Sequence, residues 1–135
     1  MCLNPYKFIS GSLYTVYGGN VGNGNERGVS TAFKGSSWVA FEKVDFGNVG
    51  SKKLAMPIFE LSGEITELIF WKGVPYEEGS YVCGKGTYLK PSIWNVYQED
   101  TFELDEVLKG IQTFGIELNK KIHIKGFEFK PYNKA

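Results

Sequence analysis

Residues 65–73 read ITELIFWKG, and this stretch decides the fold class. Its side chains fall into two alternating sets, Ile65, Glu67, Ile69 and Trp71 in one and Thr66, Leu68 and Phe70 in the other. Successive side chains of a β-strand point to opposite faces, so the alternation predicts a strand with one face in a core. Lys72 and Gly73 then mark a turn.

Similar segments rich in aromatic and β-branched residues recur along the chain, separated by Gly, Ser and Asn clusters. The predicted strands are 13–17, 29–33, 38–46, 53–59, 65–71, 80–88, 99–104, 111–118 and 121–129. The only candidate helix is residues 104–109, which is too short to oppose an all-β fold. The 135 residues are therefore expected to form one domain, 1–135, a jelly-roll-like antiparallel β-sandwich of about nine strands.

Two local features refine this expectation. In the last strand, Ile122 and Ile124 alternate in one phase and Phe127 and Phe129 in the opposite phase, which predicts a β-bulge near Lys125-Gly126. The stretch 18–28, GGNVGNGNERG, is interpreted as a connection in preference to a loop of a binding face.

Charge and composition limit the kind of partner. Lys plus Arg equals Asp plus Glu at 15 each, so no long-range field would attract nucleic acid or anionic lipid. No stretch approaches the roughly 20 apolar residues of a membrane span, and the N-terminus lacks a secretory pattern. The ten Phe, eight Tyr and three Trp are a high aromatic content for a globular domain, so some rings are expected at the surface and the partner is expected to be nearly neutral. Localisation is undecided, and would be extracellular if an attached enzyme were secreted.

Cys2 and Cys83 lie far apart and match no metal-ligand spacing. Two unrelated free thiols are favoured over a disulfide, because Cys2 lies in a terminus and Cys83 in a predicted strand.

The motifs of common enzymes are missing. His123 is the only histidine and has no nucleophile motif beside it, and the sequence contains no phosphate-binding loop, HExxH or acidic Ca²⁺ loop. Two carboxylates could still form a glycosidase pair; the available acids are Glu64, Glu67, Glu77, Glu78, Glu99, Asp100, Glu103, Asp105 and Glu106. Most occur in polar runs, for which a solvated face is the favoured interpretation. The chain is therefore not expected to be an enzyme.

The segment KPSIWNVYQED, residues 90–100, is the best candidate for ligand binding. Trp94 and Tyr97 would stack on sugar faces, while Asn95 and Gln98 would hydrogen-bond to hydroxyl groups. Alternatively, the apolar residues around Trp94 form a strand or fill the core. Of the other two indoles, Trp38 is expected in the core, and Trp71 either in the core or at the rim of a binding site. Tyr76 and Tyr81 are weak candidates for ligand contact.

The stretch GSSWVAFEKVDFG, residues 35–47, resembles the family 6 carbohydrate-binding modules. The opening NPYKFISGSLY, residues 4–14, and the closing KIHIKGFEF, residues 121–129, are similar to the first and last segments of those modules. The resemblance implies a galactose-binding-like sandwich whose loop-end cleft clamps sugar between two rings. The later ring matches Trp94, and Phe33 is nearest to the earlier one. His123 aligns with an Asn that contacts sugar in the family. A second resemblance is to the C-terminal module of bacterial family 2 glycoside hydrolases such as β-galactosidases. It is carried by GVPYEEGS (73–80), KPSIWNVYQEDTFEL (90–104) and IHIKGFEF (122–129).

Family members commonly bind a structural Ca²⁺ through acids of the first strand and a late Asp. This chain has Gly11 and Ser12 in the first position and Lys125 in the second, so the resemblance implies no cofactor and a missing or rebuilt calcium site.

The resulting hypothesis is a non-catalytic carbohydrate-binding module that targets an attached glycoside hydrolase to a neutral polysaccharide or oligosaccharide. The alternative is a docking β-sandwich of such an enzyme without a working sugar cleft, which the calcium and His123 departures favour. A small glycosidase is the least favoured reading.

Overall fold

The computed structural model describes residues 2–23, 28–31, 37–60, 65–93 and 96–132. Within them lie twelve strands and one short 3₁₀ turn, Gly11–Leu13. The strands are β1 Ile9–Ser10, β2 Val16–Gly18, β3 Val21–Asn23, β4 Val29–Thr31, β5 Ser37–Asp45, β6 Ser51–Phe59, β7 Thr66–Lys72, β8 Tyr81–Tyr88, β9 Gln98–Leu108, β10 Ile111–Leu118, β11 His123–Ile124 and β12 Gly126–Lys130. In these ranges no helix is long and apolar enough to cross a membrane.

The strands form two sheets that pack face to face. The seven-stranded sheet has the order β1-β12-β6-β11-β4-β3, with β9 on the other side of β6. The five-stranded sheet has the order β2-β5-β10-β7-β8. Paired strands in both sheets are antiparallel. The predicted all-β antiparallel sandwich is confirmed.

Phe114, in the central strand β10, lies in the middle of the core and is fully buried. Its ring centroid is 5.1 Å from that of Phe129, 5.4 Å from that of Phe127 and 5.8 Å from that of Phe70. These rings come from both sheets, so the core joins the two layers through aromatic contacts. Burying such side chains stabilises each by about 1.5–3 kcal/mol.

The alternation in β7 is confirmed. Thr66, Leu68 and Phe70 are fully buried between the sheets, whereas Ile65 and Glu67 are exposed. Trp71 belongs to the outer set but is only 9% exposed, because other side chains cover it on the outer face of the sheet.

The last predicted strand is interrupted where its phase changes. β11 ends at Ile124 and β12 begins at Gly126, while the Lys125 N–H donates a hydrogen bond to the Pro57 carbonyl at 3.0 Å. The predicted irregularity at Lys125-Gly126 is confirmed.

The candidate helix at residues 104–109 is wrong. Residues 104–108 continue β9, in which Leu108 pairs with Ser51 of β6, and Leu104 and Leu108 lie in the core. Residues four apart share a face in a strand as well as in a helix, so the spacing of Leu104 and Leu108 fits both structures. Hydrogen bonding of β9 to β6 favours the strand.

The glycine-rich stretch 18–28 contributes to the seven-stranded sheet. Val21 to Asn23 form β3, which pairs with β4, so the described part of this stretch is more than a connection. Residues 24–27 lie outside the described ranges.

Strands β8 and β9 approach each other at one side of the sandwich. A Cβ added to Gly84 would lie 3.1 Å from the Leu104 Cα, and one added to Gly86 would lie 2.3 Å from the Phe102 ring. Glycine at both positions allows the two strands to cross this closely.

The prediction of two unrelated thiols is confirmed, because Cys2 is exposed and Cys83 is buried and both are free. Burial, with a smaller effect from the Glu106 carboxylate, raises the pKa of the Cys83 thiol to about 12. Cys83 therefore packs as a small apolar side chain at neutral pH.

Candidate functional site

A cluster of rings lies on the outer face of the seven-stranded sheet, at the end of β6. We call it the Tyr97 surface and define it by Phe59, Tyr97, His123 and Lys125. The Phe59 ring centroid is 5.9 Å from that of Tyr97 and 5.5 Å from that of His123. The Lys125 ammonium lies 6.0 Å from the Tyr97 ring centroid.

The sheet register brings these residues together. Ile58 and Ile124 point into the core, so the adjacent Phe59 and His123 point outward, and the two are cross-strand partners in β6 and β11. Tyr97 directly precedes β9, the other neighbour of β6. Three segments that are distant in sequence thus supply one surface.

Phe59 is only 4% exposed and supports the half-buried Tyr97 ring from below. A ring held by packing loses little conformational entropy when a ligand stacks on it. The Lys125 ammonium lies over the Tyr97 ring and carries hydrogen-bond donors.

His123 belongs to this surface but is oriented partly inward. Its Nδ1 atom is buried and has no hydrogen-bond partner among the described residues. Burial, and to a smaller extent the charge of Lys121, lower the pKa of His123 below its usual range. The neutral imidazole is therefore the favoured form in the folded protein.

This shift predicts a pH dependence of stability. The unfolded chain binds the His123 proton near the ordinary pKa of about 6.5, before the folded chain does, so the free energy of unfolding falls as pH drops through that value. We expect a smaller fall in His123→Asn, measured by urea unfolding at pH 7.5 and pH 5.5. Because the chain has one histidine, equal falls in the two proteins would refute the assignment.

The loop between β8 and β9 borders Tyr97 and exposes apolar side chains. Leu89 is 67% exposed, Ile93 48% and Val96 43%. The described part of the loop is therefore neither a strand nor a core plug, which excludes the alternative interpretation for Ile93 and Val96. Gln98 Nε2 donates a hydrogen bond to the Pro91 carbonyl at 2.7 Å and so ties the two ends of the loop.

Three predicted contact residues, Phe33, Trp94 and Asn95, lie outside the described residues. Of the remaining three, the structure brings Tyr97 and His123 together and places Gln98 at the base of the same loop. A direct role for any of the six in sugar binding stays a prediction.

A second aromatic group lies on the outer face of the five-stranded sheet. Glu117, only 4% exposed, accepts hydrogen bonds from Trp71 Nε1 at 2.9 Å and from the Tyr76 hydroxyl. The Tyr76 ring is 68% exposed and packs against Trp71, with centroids 4.9 Å apart. We call this group the Glu117 network.

Trp38 also lies on this outer face, so its predicted place in the core is wrong. Its neighbours Val39 and Phe41 alternate into the core, and its half-buried indole covers Gly18, where an added Cβ would lie 2.3 Å from Trp38 Nε1. An aromatic residue in an apolar strand resembles a core residue in sequence, although here it covers backbone on the outside.

The positions where the resemblance places calcium ligands do not fit that ion. A Cβ at Gly11 would lie 2.7 Å from the Ile124 carbonyl oxygen, which leaves no room for a coordinating side chain. The backbone there is already paired, since the Gly11 N–H donates a hydrogen bond to the Lys125 carbonyl at 2.8 Å. Among the described residues no three His, Cys, Asp or Glu side chains could share a metal ion.

No family model matches the sequence, and no curated protein matches it. Solved structures match the fold along nearly the whole chain. A family 6 carbohydrate-binding module from Clostridium stercorarium, in complex with cellobiose, is 12% identical with a TM-score of 0.80 and covers 98% of both chains. A β-1,3-glucan-binding module of the same family from Bacillus halodurans is 16% identical with a TM-score of 0.73, covering 96% of this chain and 99% of that one.

The same fold occurs within a larger enzyme. A family 43 arabinoxylan arabinofuranohydrolase from Bacillus subtilis is 14% identical with a TM-score of 0.76, and the match covers 98% of this chain and 28% of that one. The expected family 6-like sandwich is thus confirmed for the fold. The suggested family 2 parent enzyme stays a prediction.

Proposed function

We propose that this domain binds a neutral oligosaccharide or polysaccharide at the Tyr97 surface and the adjoining loop, residues 89–97, without catalysing a reaction. The observation that carries the proposal is the exposed apolar loop beside a ring that packing holds in place. Apolar C–H faces of a sugar would pack against Tyr97 and the loop, and the Lys125 ammonium would donate to hydroxyl oxygens. Solved structures of the same fold contain bound sugars, which supports this ligand class.

The surface is small, so the expected affinity is modest. A sugar must displace well-bound water and loses translational freedom on binding, and only a few side chains compensate. We expect dissociation constants between micromolar and millimolar, or roughly −8 to −4 kcal/mol.

The proposal is tested by titration calorimetry with neutral xylo-, cello-, laminari-, manno- and galacto-oligosaccharides. We expect Tyr97→Ala to weaken binding of the best ligand at least tenfold, equivalent to about 1.4 kcal/mol, while Tyr97→Phe retains most of the affinity. Trp94→Ala is the second variant, because the loop carries that ring. Circular dichroism and the thermal midpoint check that both variants remain folded.

Tyr81→Ala is the matched control, since Tyr81 is 43% exposed but lies at the end of β8 remote from the loop. It should bind like the wild type. Binding that survives both Tyr97→Ala and Trp94→Ala would refute this site. If the wild type binds none of these oligosaccharides, sugar binding is refuted and a docking domain without a sugar cleft is favoured.

A further inference from the structure

The outer face of the seven-stranded sheet carries an open basic depression of about 280 Å³, at the end of β6 opposite to the Tyr97 surface. We call it the lysine pocket, and its lining residues are Lys52, Lys53, Glu103, Lys130, Pro131 and Tyr132. Three cations and one anion thus surround one cavity in a chain whose net charge is zero.

The sheet register builds this charge excess. Lys53 lies in β6 between two direct cross-strand partners, Lys130 of β12 and Glu103 of β9. Like charges directly opposite each other on one sheet face are destabilising. The Lys53–Lys130 pair therefore favours an anion between the two ammonium groups.

The one acid of the pocket is already engaged. Glu103 Oε1 forms an ion pair with Lys52 Nζ at 3.3 Å, and the same ammonium lies 6.0 Å from the Tyr132 ring centroid. Among the described residues no carboxylate lies within ion-pair distance of Lys53 or Lys130. Two positive charges therefore remain for a ligand.

The pocket also offers an apolar wall. Pro131 and the half-buried Tyr132 line one side, and the Tyr132 N–H donates to the Gly50 carbonyl at 2.8 Å, which fixes the segment against the sheet. A small inorganic anion would use only the ammonium groups. A ligand with both an oxyanion and a ring that has an apolar C–H face would use the whole pocket.

We propose that the lysine pocket binds the carboxylate of an acidic sugar residue, with Lys53 and Lys130 holding the carboxylate and Tyr132 and Pro131 contacting the sugar ring. The choice of a sugar rests on the proposed function, whereas the choice of an anion rests on the pocket itself. Lys53 and Phe59 are six residues apart on the same face of β6, about 20 Å. The pocket is therefore a second site, separate from the Tyr97 surface.

The test is titration calorimetry with trigalacturonate, its neutral methyl ester and inorganic phosphate. We expect millimolar or tighter binding of trigalacturonate, at least tenfold weaker binding of the ester, and progressive loss with added salt. The double variant Lys53→Gln/Lys130→Gln should weaken trigalacturonate at least tenfold. Lys43→Gln/Lys85→Gln, which removes two exposed lysines of the five-stranded sheet, should not.

Tyr132→Ala tests the ring contact and should weaken trigalacturonate but not phosphate. Phosphate binding as tight as that of trigalacturonate would overturn the sugar assignment, and so would tighter binding of a single-stranded oligonucleotide. No effect of Lys53→Gln/Lys130→Gln would overturn the site. Tyr97→Ala separates the two proposals, because it should weaken neutral-sugar binding at least tenfold and leave trigalacturonate binding unchanged.

Discussion

Phe114→Ala is expected to lower the free energy of unfolding by about 3–5 kcal/mol, the range for removing a buried phenyl group. Phe114 is fully buried and contacts rings from both sheets, so neighbouring side chains cannot close the cavity without shifting the packing of the sandwich. A domain of this size has about 5–15 kcal/mol of stability, so the variant would lose a large share. Urea unfolding followed by tryptophan fluorescence measures the loss.

Two further variants make this prediction decisive. Phe114→Leu should cost about 1–2 kcal/mol and remains measurable if the alanine variant does not fold. Phe8→Ala removes the same chemical group from a side chain that is 45% exposed, and should cost clearly less than Phe114→Ala. Equal losses at Phe8 and Phe114 would show that the aromatic cluster does not dominate the core.

Glu117→Ala is expected to cost about 2–3 kcal/mol. The substitution leaves the buried Trp71 Nε1 without an acceptor and releases the Tyr76 hydroxyl. An unsatisfied buried donor costs about 1–3 kcal/mol, and hydrogen bonds to a charged group are stronger than neutral ones. Tyr76 is largely exposed and can bond to water, so most of the loss comes from Trp71.

Urea unfolding of Glu117→Ala, Glu117→Gln and Glu67→Ala separates the effects. The glutamine variant keeps one acceptor oxygen but places an amide donor against the second donor, so we expect an intermediate loss. Glu67 is exposed on the neighbouring strand, and its removal should change stability by less than about 0.5 kcal/mol. A cost of Glu117→Ala no larger than that of Glu67→Ala would contradict a structural role for the carboxylate.

The longer strands were predictable because local pattern and tertiary structure agree there. The prediction for residues 111–118 matches β10, and that for 65–71 matches β7 to within one residue at each end. Short strands such as β1 and β3 have only two or three residues and form because neighbouring strands provide hydrogen-bond partners. The periodicity of a single segment does not reveal such partners.

The candidate site was less predictable. Tyr97 was predicted from the segment 90–100, and His123 from its alignment with a sugar-contacting Asn of the family. Their common neighbour Phe59 lies in the apolar run MPIFE, a pattern typical of a core strand. Glu117 escaped notice although an acid inside the apolar run FGIEL is a usable signal for a buried polar network. The lysine pocket depends on cross-strand register, which sequence alone does not give.

Strand β9 forms the border of the seven-stranded sheet beyond β6, and five of its eleven residues are acidic: Glu99, Asp100, Glu103, Asp105 and Glu106. A long border strand could pair with the same strand of another copy and start an aggregate. Such pairing would bring two rows of carboxylates into register, and their repulsion opposes it. These carboxylates, which the sequence offers as candidates for a glycosidase pair, thus help this domain stay dispersed at high concentration.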